Sequence, residues 1–112
     1  MKSDAHMAKA RRIEESLKKL DLVSDWEMVI EGAYGAALHY IACITEMKIG
    51  KHHETHKGLP SFLDENGLPR LAELFRALEL LRQSRWYGGK ENGEVSKEAL
   101  VILERIKREG SV

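Results

Sequence analysis

The chain has 112 residues, one domain's worth and enough for a modest apolar core without a disulfide or metal to hold it together. Its 18 basic and 18 acidic residues cancel to a formal charge of zero, which excludes a global field drawing the protein onto nucleic acid, and a lone cysteine, Cys43, excludes an internally cross-linked secreted domain. No uninterrupted run of about 18 apolar residues marks a membrane span, and Met1 to Lys9 has no apolar core for a signal peptide, so the expected compartment is the cytoplasm.

Taken in chain order, residues 1–9 read as a polar, unpatterned leader expected to be disordered, with no chemistry assigned to His6, and residues 10–112 as a single folded domain. The first helix, roughly Asp4 to Leu20, carries a narrow apolar stripe of Ile13, Leu17 and Leu20 and is expected on the outside. Ser24-Asp25-Trp26-Glu27 has the form of a capping box and predicts the start of a long helix. That helix runs to about Lys48 with Trp26, Val29, Ile30, Ala33, Tyr34, Ala37, Leu38, Ile41 and Ile44 on one broad face, and Gly50 ends it. Its other side is small, with Gly32, Gly35, Ala36 and Cys43. A glycine inside a helix costs about 1 kcal/mol relative to alanine, so a second helix is expected to approach closely there, from this chain or from another copy.

Residues 51–58 are polar and rich in histidine, and Leu59-Pro60-Ser61-Phe62-Leu63 then predicts a short helix stopped by Asn66-Gly67. Pro69 suits the first turn of a helix reaching about Trp86, with Leu71, Leu74, Phe75, Leu78 and Leu81 facing the core and Gly88-Gly89 ending it. After a loop through Asn92-Gly93, Ser96 is expected to cap a last helix bearing Leu100, Leu103 and Ile106. The expected fold is all-α: an up-and-down antiparallel helical bundle of four main helices plus one short one. The basic clusters at Lys9 to Arg12, Lys18-Lys19 and Arg105 to Arg108 are diluted by acidic neighbours and read as solvated helix faces.

Two constellations invite chemistry. Lys51-His52-His53-Glu54-Thr55-His56 suggests a metal, because imidazoles one turn apart on a helix face one ion. Its order is not H-E-x-x-H, and the flanking Gly50 and Gly58 oppose a continuous helix, so a polar loop with capping histidines is expected, with no metal and no cofactor. Arg82 is the second feature. It stands one turn after Leu78 and two after Phe75, on the stripe that otherwise faces the core, and a charge there needs a partner or a ligand. Arg85-Trp86-Tyr87 follow at once, and arginine with aromatic rings suits phosphates and stacked bases; a structural ion pair is the competing reading. His39 lies away from the main apolar stripe with no triad partner at a recognisable spacing. The E-x-x-E and E-x-x-D pattern of magnesium-dependent all-α nucleotide pyrophosphatases is absent from the long helices.

In order along the chain, Ala33-Tyr34-Gly35-Ala36-Ala37-Leu38-His39-Tyr40-Ile41-Ala42, then Thr55-His56-Lys57-Gly58-Leu59 with Phe62, then Leu81-Arg82-Gln83-Ser84-Arg85-Trp86-Tyr87, then Val95-Ser96-Lys97-Glu98-Ala99 resemble the signatures of HEPN domains (higher eukaryotes and prokaryotes nucleotide-binding) over residues 10–108. The resemblance implies a helical bundle that commonly forms a homodimer, in a superfamily associated with nucleotide binding, RNA cleavage and toxin–antitoxin pairs with a small nucleotidyltransferase partner. Its ribonuclease members carry a histidine four to six residues after the key arginine, where this chain has Trp86, Tyr87 and Gly88 after Arg82. Tyr87, with a phenol that ionises near pH 10, is a poor base at neutral pH, so ribonuclease activity is not the first expectation. The expected role is binding of a nucleotide, an RNA phosphate or a partner protein through Arg82, Arg85, Tyr87 and His56. A ribonuclease toxin using Arg82 and a purely structural or dimerisation module are the alternatives, and neither a membrane nor strong DNA binding is expected.

Overall fold

Gly50 marks the end of the long second helix as its position after the apolar run requires: it is left-handed, at φ 73°, and its N–H bonds the Glu46 carbonyl at 3.0 Å. The computed structural model describes residues 2–53, 55–84 and 93–112. Five helices account for the regular structure of these residues: α1 (Ser3–Leu17), α2 (Trp26–Ile49), α3 (Leu59–Glu65), α4 (Pro69–Ser84) and α5 (Gly93–Glu109). No strand occurs among the described residues, and the all-α expectation, four long helices and one short, is met at that level.

Helix α2 is the axis of the molecule, packing against α1, α4 and α5, while α4 also meets α3 and α5. Every member of its predicted apolar face is buried except Leu38, which is half-buried. Around it lie Leu63 from α3, Leu71, Phe75 and Leu78 from α4, and Leu103 and Ile106 from α5, all essentially inaccessible. By length and composition α2 is also apolar enough to cross a membrane, but 67% of its most apolar window is buried inside this bundle.

The small side of α2 is filled by α1. A Cβ placed on Gly32 would stand 2.4 Å from Leu17 Cδ2, and one on Gly35 would meet Ile13 Cδ1 at 3.8 Å. The close approach expected of these residues is therefore made within the chain, and the small face gives no separate argument for a second copy. A further tight contact closes the other end of the core, where a Cβ on buried Gly110 would fall 2.2 Å from Ile44 Cγ1.

Three local expectations are corrected. The segment expected as a disordered leader is helical from Ser3, and His6 is buried because α1 carries it onto α2. The capping box does not form: Asp21 holds the turn instead, its carboxylate accepting from the Val23 and Ser24 N–H groups at 2.9 and 2.8 Å, and α2 starts without a side-chain cap. Those N–H groups, Ser24's first, hold the Asp21 carboxyl below the usual range. Ser96 is not a cap either, since α5 begins three residues earlier and the buried Ser96 hydroxyl donates to the Leu22 carbonyl at 2.7 Å, tying α5 to the α1–α2 turn.

The basic clusters are mostly solvated, as expected, with Lys9 and Lys107 only half-exposed. Lys107 is half-buried and bonds Glu14 at 3.0 Å and Glu104 at 3.2 Å. Glu14 also accepts from the Tyr40 hydroxyl, so a polar network joins α1, α2 and α5.

Candidate functional site

Arg82 reaches the end of the bundle because α4 is anchored at both its start and its middle. Gly67, left-handed at φ 76°, turns the chain out of α3, and Pro69 opens α4 with its φ already helical. Burial of Leu71, Phe75 and Leu78 then fixes the rotation of the helix, and Arg82 continues that stripe one turn on.

Its guanidinium lies over the ring of Tyr34, with Cζ 4.4 Å from the ring centre. Its Nε donates to the Glu31 carboxylate at 3.3 and 3.4 Å, longer than a tight charged hydrogen bond. Glu31 and Tyr34 are three residues apart on α2 and so share one face. Tyr34 is itself buried, packed on Phe75 at 5.4 Å between ring centres, so the platform under the guanidinium is rigid. Arg82 and Glu31 remain 33% and 39% exposed, which leaves the outer edge of the pair open to solvent.

His56 approaches the same tyrosine from the α2–α3 loop, its ring centre 6.3 Å from that of Tyr34. The loop holds itself by polar contacts: His53 Nε2 donates to the Lys57 carbonyl at 2.7 Å, and Thr55 donates to the same carbonyl at 3.2 Å. Gly58, at φ 79°, then turns the chain into α3. Two of the four residues expected to bind a ligand, Arg82 and His56, thus converge on Tyr34. The other two, Arg85 and Tyr87, lie outside the described residues, as does Glu54.

Behind the loop lies a cavity of about 140 Å³, and all five histidines of the chain line it. His6 Nδ1 and His39 Nδ1 are 2.9 Å apart, and the His52 ring stands edge-on 4.9 Å from that of His6. His52 Nδ1 is 3.6 Å from Glu46 Oε1. Burial first, and then the charge of Lys9, hold the His39 imidazole below its ordinary range and favour its neutral form. Among the described residues no three His, Cys, Asp or Glu side chains converge in position to hold an ion. The residues 52, 53 and 56 that suggested a metal are kept apart because the segment is a turn, with His53 committed to the Lys57 carbonyl and His56 facing Tyr34.

Sequence reasoning missed Glu31, Tyr34, His6 and His39 as members of these clusters. Tyr34 was readable only as core, which it is; its role as a platform depends on where α4 ends. The signal for the histidines was that all five fall on segments adjoining α2 or on α2 itself, but no local spacing links His6 to a residue 33 positions later.

In comparison with known proteins, no family model, no curated protein and no solved structure matches this chain.

Proposed function

We propose that this chain is a HEPN-like domain, an up-and-down antiparallel bundle, that binds the phosphate of a nucleotide or of single-stranded RNA at the cluster of Arg82, Tyr34 and His56. The observation that carries the reading is a guanidinium stacked on a buried tyrosine ring at a partly solvent-exposed position, with its Nε 3.3 and 3.4 Å from the Glu31 carboxylate. Stacking fixes the plane of the guanidinium, and a fixed fork is suited to binding two phosphate oxygens at once. A phosphate entering there takes the place of Glu31, and His56 stands on the same ring as a second donor. The chain's zero net charge makes such binding local, without strong non-specific attraction to nucleic acid.

The test is to titrate adenine nucleotides and a short single-stranded RNA onto wild type and Arg82→Ala, following oligomeric state and RNA integrity in the same samples. Binding by wild type that is lost in a folded Arg82→Ala supports the reading, and RNA cleavage lost in the same variant makes the domain a ribonuclease. Glu31→Gln sharpens the test, because it removes the competing carboxylate and is expected to tighten phosphate binding.

A second reading is favoured by that same ion pair: Arg82, Glu31 and Tyr34 close the bundle end, and the domain is a structural or dimerisation module. It expects no ligand, with Arg82→Ala and Glu31→Gln both lowering stability. A homodimer, and a small nucleotidyltransferase as partner, belong to the first reading as its assembly, and size-exclusion chromatography with light scattering tests the dimer.

A further inference from the structure

From the arginines that meet where α4 begins and α5 ends, we infer that the protein binds the terminal diphosphate of a small phosphorylated molecule between Arg70, Arg105 and Arg108. The inference is independent of Arg82, which stands twelve residues beyond Arg70 on α4, about 18 Å along the helix.

A cavity of about 230 Å³ lies at this end of the bundle, lined by Arg70 and Leu74 from the first two turns of α4 and by Arg105, Arg108 and Glu109 from the last two turns of α5. Arg105 and Arg108 are three residues apart and share one face of α5. Both are exposed, and among the described residues neither side chain takes part in a hydrogen bond or an ion pair, nor does that of Glu109. Arg70 has Glu73 beside it, but Nη1 is 3.9 Å from the carboxylate and the two side chains are 55% and 74% exposed, so the contact is weak. Three guanidiniums against one lining carboxylate leave a local surplus of positive charge in a chain whose total charge is zero.

Helix electrostatics single out Arg70. The start of a helix is its positive end and favours acidic residues, yet the first turn of α4 has none and Arg70 stands in it. Arg108, in the last turn of α5, complements the negative end of its helix and is ordinary there. Arg70 has no such compensation, and a bound anion supplies it. Phosphate is the anion these side chains fit, because a guanidinium is a planar fork that takes two oxygens of one phosphate and keeps its charge at physiological pH. The cavity is smaller than the range of about 300–1,000 Å³ typical of sites for organic ligands, so it accepts a diphosphate and leaves the organic part of the molecule outside. A single strand of nucleic acid is held by stacking its bases on aromatic rings, and the lining contains no aromatic ring, which favours the small ligand.

The test titrates inorganic pyrophosphate onto the full chain by calorimetry at low ionic strength, in wild type and in Arg82→Ala. Saturable binding is expected in both, with one site per chain remaining in Arg82→Ala. In that background Arg70→Gln, Arg105→Gln and Arg108→Gln are each expected to weaken the site about tenfold, the loss of one charge-assisted bond, and Glu109→Gln to tighten it by removing the lining carboxylate. Arg76→Gln, whose guanidinium is already held by Asp64 at 2.7 Å, is the control and is expected to leave the affinity within a small factor. All three arginines are exposed, so their variants are expected to fold, which circular dichroism checks. Absence of saturable binding in Arg82→Ala overturns the inference, as does binding there that none of the three glutamine variants weakens. An RNA without terminal phosphates that binds these arginines in preference to pyrophosphate assigns them to a nucleic-acid strand and overturns the ligand named here.

Discussion

Replacing Gly32 and Gly35 by alanine, one at a time, tests how α1 sits on α2. Both residues are inside a helix, where alanine is worth about 1 kcal/mol over glycine, so each variant starts with that gain. At Gly35 the new Cβ meets Ile13 Cδ1 at 3.8 Å, an ordinary contact, and the gain is kept. At Gly32 it falls 2.4 Å from Cδ2 and 3.2 Å from Cγ of Leu17, a side chain only 7% exposed, so Leu17 must leave its rotamer or α1 must step back. Overpacking of this kind costs about 1–3 kcal/mol, leaving Gly32→Ala near neutral to about 2 kcal/mol destabilised. The two variants are thus expected to differ by about 2 kcal/mol, with Gly35→Ala the more stable. With a urea dependence of about 1–3 kcal/mol per molar, their unfolding midpoints should part by about 1 M. Far-ultraviolet circular dichroism in urea, repeated at several protein concentrations, measures this. Adding Leu17→Ala to Gly32→Ala should cost less than Leu17→Ala costs alone, because the two changes relieve one contact. Equal stabilisation by the two alanines would refute the seating of α1 over Gly32.

Three other outcomes follow from the same contacts. Arg82→Ala is expected to cost about 1–2 kcal/mol in urea unfolding, the sum of a partly exposed ion pair and one stacked ring, small enough that the variant stays folded for ligand tests. His39 has a depressed folded-state pKa, so its proton favours the unfolded chain. The stability it contributes is present above its unfolded value of about 6.5 and is lost as pH falls through that value toward the folded one. The urea midpoint should therefore drop between about pH 7.5 and about pH 5.5, and the drop should shrink in His39→Gln. Tyr40→Phe deletes a hydroxyl that donates to the Glu14 carboxylate beside Lys107, and should cost about 1–2 kcal/mol in the same assay at neutral pH. Burial and that bond push the Tyr40 phenol up, so it donates across the physiological range.

Helical periodicity carried the reading of the fold, because it reports burial one residue at a time: Ile30, Ala33 and Ile44 on α2 and Leu71, Phe75 and Leu78 on α4 are all in the core. Helix ends were less legible. Ser24 and Ser96 have the chemistry of caps, but a serine hydroxyl near a helix start has several acceptors and donors within reach, and here Asp21 and the Leu22 carbonyl decide the outcome. Residues 3–9 carry little apolar pattern of their own, and their order comes from the partner surface on α2. Arg82 announced itself, since a charge on a core stripe needs a partner. Glu31 did not, because a glutamate on a long helix is ordinary until α4 fixes where the guanidinium ends. The histidine cavity was least legible of all, being assembled from α1, α2 and a loop that only tertiary packing brings together.

That loop gives the two clusters a physical connection. His52 and His53 line the cavity, while His56, three residues past His53, lines it and also faces Tyr34 under Arg82. On the proposed reading, a phosphate drawn to the Arg82 guanidinium meets His56 on the same tyrosine ring, so the loop supplies the second donor of the site. His56→Ala is then expected to weaken nucleotide binding by a smaller factor than Arg82→Ala; an unchanged affinity in the same titration would remove His56 from the site.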